Sequence, residues 1–455
     1  MNNKSIFLDA GYKDFQLLYI IPIICSYADN KGIKEISFEN SIPSQVLKDK
    51  NISQLLKLKK ITILKKKNLF YKIIKFINFF LSFQKIIVYF ILFNFKLVTK
   101  NNDWYKYQLM HAFWDIAYVN SKDHEIVPTY FNRIKSVIQI IAAEDFSKKI
   151  FKKIDTAFLS HQVYAARVLL ANFRRQQIRV YAHSNCNIYQ VGKTIDNSSN
   201  FIEKSTLNKV EAILSKKKII KYWINVKNGH SANLETRSIS KINNSDFLNL
   251  DNTLNVIFLH VFRDSPYNYI DKTRIFFSYY DWFEETLKII KNSKEKWVIR
   301  THPFMYEWGE NSKLIVDNFI KKIFNNKLPQ NIRVEDKSIS NLLLLKKVKR
   351  VVTYSGNVHI EAACLGKKPI CISETTLGKI DKKFIIKPHN IQHYRKLLLI
   401  NSDDKIFNLS KDYTDKAISI LFIKDKVISF SDILKTNNIY RKSSQKKKKD
   451  RIYQK

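Results

Sequence analysis

Three short stretches in the second half of the chain carry residue types that hold negative charge. They are residues 260–264, with His260 and Asp264 at their ends, residues 300–302, with Arg300 and His302, and Ser355-Gly356-Asn357. A guanidinium grips two phosphate oxygens at once, and an imidazole can donate to another. Ser355-Gly356-Asn357 stands between an apolar run, residues 351–354, and a helical pattern of Val358, Glu361, Ala362 and Leu365. A helix that starts straight after such a turn offers backbone N–H groups and the positive end of its dipole to an anion. Gly356 lets backbone approach a ligand, Ser355 and Asn357 are capping types, and Glu361 can accept from a sugar hydroxyl. The same stretch also reads as an ordinary capped helix in an α/β sheet.

Each stretch follows an apolar run of strand length: residues 254–259, 297–300 and 351–354. If the three strands are parallel, their polar ends meet at one edge and form a phosphate or diphosphate cradle. The first half alternates in the same way. Residues 5–8, 36–38, 61–64, 154–159 and 178–181 read as strands, and 15–27, 103–119 and 136–143 as helices. This rhythm predicts an α/β protein of two doubly wound, Rossmann-like domains facing across a cleft. The expected domains are residues 1–235 and 250–440, joined by a polar linker at 225–252, with a Lys-dense disordered tail at 441–455. Asp9, Asp14 and His161 lie just past expected strand ends of the first domain. A helix-capping role is the competing reading for either aspartate.

The chain has 455 residues and a net charge of +39, with 79 Lys and Arg against 40 Asp and Glu. Such an excess favours phosphorylated ligands, anionic lipid or nucleic acid. A codon bias toward Lys, Asn, Ile and Phe explains the same numbers without a partner. No zinc-finger spacing and no RNP aromatic motif is present, which argues against a dedicated nucleic-acid module. Four scattered cysteines with no CxxC pair imply neither a disulfide framework nor a zinc site, and they fit reduced cytosolic thiols. The N-terminus lacks the pattern of a secretory signal.

Residues 68–100 are long and apolar but interrupted by Lys72, Lys75, Lys85 and Lys96. No uncharged run reaches the roughly 18–20 residues of a membrane span. At about 100° per residue those lysines, with Asn78 and Ser82, fall in a rough 140° arc. The pattern predicts basic amphipathic helices inserted in the first domain and suited to an anionic membrane surface. Packing on the body of the domain is the alternative.

HVFRDSP at 260–266, FFSYYDWFEETLKIIK at 276–291, WVIRTHP at 297–303 and TYSGNVHIEAACLGKKPICIS at 353–373 together resemble the C-terminal half of bacterial capsule and surface-polysaccharide biosynthesis proteins. Those are similar to glycosyltransferases of the GT-B fold. The resemblance covers residues 254–400; the first half shares only the strand–helix rhythm and the run at 159–167. It implies a nucleotide-sugar site at His302, Ser355, Gly356, Asn357 and Glu361, beside which His260, Asp264 and Arg300 complete the donor-binding set. Asn357 departs from the expected Thr or Ser, which removes a hydroxyl from the turn. The resemblance further implies transfer of a sugar to a surface glycan or lipid-linked acceptor without a metal or other cofactor, in the cytoplasm or at the inner face of its membrane. His302 would stabilise the leaving group, and Asp14 or His161 would take the acceptor's proton. A nucleotide-sugar 2-epimerase and a CDP-glycerol-type glycerophosphotransferase keep the same architecture and remain alternatives, as does a non-catalytic basic binding protein.

Overall fold

The structure, a computed structural model, describes residues 5–9, 14–39, 42, 44–63, 83–99, 102–122, 125–150, 154–160, 163–184, 187–190, 216–227, 254–264, 275–302, 310–335, 341–373, 375–401 and 403–423. The expected segment at 68–82, the linker from 228, and the tail at 441–455 lie outside them. The chain divides into two compact units. One contains Met1–Ala117 and Tyr130–Ser199, the other Tyr118–Thr129 and Asn200–Lys426.

In the first unit the strands are β1 (Ser5–Leu8), β2 (Glu35–Phe38), β3 (Lys60–Ile63), β4 (Thr156–Leu159), β5 (Arg179–Ser184) and β6 (Asn187–Gln190). Its helices are α1 (Asp14–Asn30), α2 (Ser44–Leu47), α3 (Lys50–Lys57), α4 (Phe83–Asn94), α5 (Trp104–Val119), α6 (Tyr130–Ile150) and α7 (Tyr164–Arg175). The sheet order is β3-β2-β1-β4-β5-β6, parallel except for β6. β1 and β4 are buried along their whole length, as a parallel sheet covered on both faces requires. One face packs Ile6, Leu8, Ile20 and Ile36, and the other Phe7, Leu159, Leu170 and Phe173.

The second unit includes α8 (Lys216–Lys227), which lies within the expected first domain of residues 1–235; its Tyr222 meets Phe422 edge-on at 5.0 Å. Its strands are β7 (Leu254–Phe258), β8 (Trp297–Arg300), β9 (Ile332–Glu335), β10 (Val348–Thr353) and β11 (Ile370–Cys371). Its other helices are α9 (Tyr279–Ile290), α10 (Ser312–Phe324), α11 (Asn341–Lys347), α12 (Val358–Cys364), α13 (Thr376–Ile380), α14 (Ile391–Leu399) and α15 (Lys411–Phe422). The order β11-β10-β7-β8-β9 is parallel throughout. Both units are therefore doubly wound α/β sheets, as expected.

Several elements depart from the sequence reading. The polar stretch after β5, which shows no apolar run, contains β6, an antiparallel edge strand paired with β5 through Ala182 and Tyr189. The sequence rhythm also misses α10 and β9. α10 carries ordinary signals: Asn311 caps it by accepting from the Leu314 N–H at 3.1 Å, and Asn325 ends it in the left-handed region at φ 53°. β9 is an edge strand with only Ile332 buried, so it shows no apolar run. α14, with Tyr394 buried against Trp282 and Thr286, also goes unread.

One buried cation ties the second sheet to its outer helices. Arg350, fully buried in β10, donates to the carbonyls of Leu398 and Ile400 at the end of α14. Its guanidinium lies 4.7 Å from the Phe407 ring centre and 5.4 Å from that of Trp297. A positive group at a helix C-terminus meets both the dipole and the otherwise orphaned carbonyls. Burial nevertheless depresses its pKa to about 10. Arg350→Ala is expected to lower stability by about 2–4 kcal/mol, because two buried acceptors lose their donor and two rings lose their neighbour. Urea unfolding of the variant checks this, with Arg350→Lys expected to recover less than half of the loss.

Candidate functional site

A doubly wound sheet opens where its strand order reverses. In the second sheet that point lies between β7 and β10, and in the first between β1 and β4. The residues that follow these four strands form the centres of the two carboxyl edges.

In the first unit Asp9 follows β1 and Ser160 follows β4. Asp9 Oδ1 accepts the Ser160 backbone N–H at 3.0 Å, and Asp9 Oδ2 accepts the Ser160 hydroxyl at 3.0 Å. Both residues are buried. This carboxylate therefore holds two strand ends together, and of the first-unit candidates it is committed to structure. Asp14 opens α1. His161 lies outside the described residues.

In the second unit the acceptor at the switch point is His260, two residues past the end of β7. Phe258 pairs with Thr353, so His260 stands level with Ser355. Its Nε2 accepts the Ser355 backbone N–H at 3.1 Å, which leaves its proton on Nδ1. Tyr279 stacks on the ring at 4.6 Å, and Tyr354 meets it edge-on at 6.3 Å. Burial drives the His260 pKa down to about 3, and the nearby charges of His302 and His359 add to the depression. His302 thus lies within electrostatic reach of His260. Arg300 is fully buried in β8, with Thr301 buried beside it.

The turn after β10 differs from its expected form. Its N–H groups are largely spoken for: Ser355 donates to His260, and Gly356 donates to Thr353 Oγ1 at 3.3 Å. Asn357 stands at the N-cap but makes no side-chain capping bond. Donors of a half-buried turn at a sheet edge pair with the nearest acceptors, and here those are neighbouring side chains. Gly356 sits in a close approach: a Cβ there would lie 3.1 Å from Thr353 Oγ1 and 3.4 Å from His260 Nε2 and would crowd both. Glu361 lies in the first turn of α12.

Three residues that the sequence reading passed over complete the edge. His359 is buried; its Nδ1 donates to the Gly356 carbonyl at 2.6 Å and its Nε2 accepts the Leu377 N–H at 3.5 Å, which pins α13 to the turn. Glu310 is buried and accepts the backbone N–H groups of Phe262 and Arg263 at 3.0 and 2.7 Å, fixing the loop that leads to Asp264. Burial raises its pKa against the pull of those donors. Ser373 follows β11 as Ser355 follows β10, and its N–H donates to the Tyr354 carbonyl at 2.9 Å. That parallel was the available signal for it. The hydroxyl oxygens of Ser355 and Ser373 are both buried without a hydrogen-bond partner. Leaving such a group unmatched costs about 1–3 kcal/mol. Among the described residues no three His, Cys, Asp or Glu side chains converge on a metal-sized space.

No family model matches the chain, and no curated protein matches it. Solved structures similar to it include the UDP-GlcNAc 2-epimerase of Methanocaldococcus jannaschii, at 15% identity and TM-score 0.33 over 92% of this chain and 98% of that one. A glycosyltransferase of Rickettsia africae is 10% identical, with TM-score 0.31, over 97% of this chain and 99% of that one. The β-Kdo 2,4 transferase KpsC of Thermosulfurimonas dismutans is 11% identical, with TM-score 0.33, over 59% of this chain and 79% of that one. Likenesses at this level leave the activity to be argued from the residues themselves.

The His260 contact makes stability depend on pH with a definite sign. An unfolded histidine titrates near 6.5, so between about 6.5 and 3 the unfolded chain binds a proton that the folded one refuses. The contribution is complete above about 6.5 and falls by up to roughly 1.4 kcal/mol per pH unit below it. His260→Asn keeps an acceptor for the Ser355 N–H but cannot titrate. Between pH 7 and pH 5, wild type is expected to lose about 2 kcal/mol more than this variant in urea unfolding.

Proposed function

We propose that the second unit binds a nucleotide-sugar at the carboxyl ends of β7, β8, β10 and β11, and that the protein transfers the sugar to a growing surface glycan or lipid-linked acceptor. The supporting observation is the pair of buried, unpartnered hydroxyls of Ser355 and Ser373, which stand level with one another past the ends of β10 and β11, with Ser355 bonded through its N–H to His260 beside the switch point. A phosphate or sugar oxygen that enters there meets donors held ready for it. Arg300 and His302 belong to the neighbouring strand end and add positive potential.

In the reaction the bond between the anomeric carbon and the phosphate oxygen breaks, and the acceptor oxygen bonds to that carbon. The departing phosphate gains negative charge, which His302 and Arg300 stabilise. Asp264, Asn357 and Glu361 orient the donor, and the acceptor's proton passes to a base for which Asp14 and His161 are the candidates. No protein-bound metal or cofactor enters this scheme. An anionic membrane surface beside the acceptor, at the inner face of the cytoplasmic membrane, belongs to the same reading.

A thermal-shift series with CMP, CDP, UDP and GDP identifies the base: the matching nucleotide at about 100 times its Kd adds roughly 2.7 kcal/mol. With the matching nucleotide-sugar and an acceptor, His302→Ala is expected to lower turnover by about 100-fold while melting as wild type does. Unchanged turnover removes His302 from the site. Incubation without acceptor separates the neighbouring chemistry, since an epimerase interconverts the sugar alone.

A further inference from the structure

The first unit carries a surface feature that the donor site does not use. α4 turns its one charged residue inward: Lys85 pairs with the buried carboxylate of Glu144 at 2.7 Å. The Tyr105 hydroxyl, at 2.5 Å, and the Tyr89 hydroxyl, at 3.2 Å, donate to the same carboxylate. The expected lysine-lined polar face is therefore reversed at this helix. Ile86, Tyr89 and Phe93 fill the buried side. The outer side presents Phe83, Ile87, Val88 and Ile91, then Phe95, which is 65% exposed, and no charge at all.

The face continues onto α6. Phe90 and Tyr130 meet at 6.3 Å, and Arg133 donates to Asn94 at 2.6 Å, which holds the two helices side by side. On α6 Phe131, 74% exposed, and Ile134 are open to solvent. A surface of this composition on one unit is far from an ordinary scatter of exposed apolar residues.

Charge selects what covers it. From Lys50 to Asn102 the sequence has twelve lysines and no Asp or Glu. A second copy of a chain with net charge +39 would bring like charge against like. A nucleic acid would meet an uncharged apolar face where it needs cations. An anionic lipid surface fits an apolar face on a strongly cationic chain, since its acyl boundary takes the apolar residues and its headgroups attract the net positive charge. Among the described residues no helix is long and apolar enough to cross a membrane.

We infer that the exposed apolar face of α4 and the start of α6 docks the protein onto an anionic bilayer. The inference stands on the first unit alone and does not depend on the nucleotide-sugar reading. The test is flotation of the full chain with vesicles of phosphatidylcholine, with and without phosphatidylglycerol, at low and high salt. Wild type is expected to float with the anionic vesicles and to lose at least tenfold in bound fraction on the neutral ones. A variant combining Ile87→Ser, Ile91→Ser and Phe95→Ser is expected to lose at least tenfold on anionic vesicles while keeping its circular dichroism and melting temperature. Phe131→Ser with Ile134→Ser, an independent pair on α6, is expected to act in the same direction. Three outcomes overturn the inference: failure of wild type to float, retention of wild-type flotation by both folded variants, or a concentration-dependent dimer in sedimentation that both variants abolish while flotation persists.

Discussion

The second unit depends on one hydrogen bond across its switch point, from the Ser355 N–H to His260 Nε2. The first unit has its counterpart in the bond from the Ser160 N–H to Asp9. Both arise from the same constraint. In a doubly wound sheet the helices leave on opposite faces at the reversal, so the two central strand ends lack a covering helix. A backbone donor there must find an acceptor, and the side chain following the neighbouring strand is within reach. The two solutions differ in capacity. A carboxylate has two acceptor oxygens and takes both the N–H and the hydroxyl of Ser160. An imidazole has one acceptor nitrogen and takes only the N–H, which leaves the Ser355 hydroxyl without a protein partner. The first edge satisfies both groups of its serine, whereas the second leaves a serine hydroxyl unmatched.

Electrostatics at the second edge follow from the same choice. His260 stays neutral because it is buried and because His302 and His359 disfavour its charging. His359 is itself bonded through both nitrogens, donating to Gly356 and accepting from Leu377.

Buried polar groups elsewhere hold the edge in place. Glu310 fixes the loop after β7 through two backbone N–H groups, and Arg350 anchors the end of α14 to the middle of β10. In the first unit Glu144 gathers Lys85, Tyr89 and Tyr105, and burial beside that carboxylate raises both tyrosine pKa values above the ordinary range. Each arrangement matches a buried group to several partners, and removal of one partner strands the rest.

The α/β alternation and the bounds of β1, β8 and α12 are legible in the order of residues alone, because buried parallel strands are unbroken apolar runs and helices repeat at three and four residues. That order also brought Ser355, Gly356, His260 and His302 to notice, since each follows such a run. The polar edge strands β6 and β9 escaped notice because an edge strand is held by its hydrogen-bond ladder and needs no apolar signature. Only the tertiary structure decided which donors are spent and which are open. The N–H groups read as an anion cradle are partly consumed by His260 and Thr353, whereas the Ser373 hydroxyl is left unmatched. It also turned Lys85 inward, since its partner Glu144 lies 59 residues away in the chain. Partners so distant in sequence leave no local pattern, because a hydrogen bond or ion pair is chosen by distance in space after the sheet has formed.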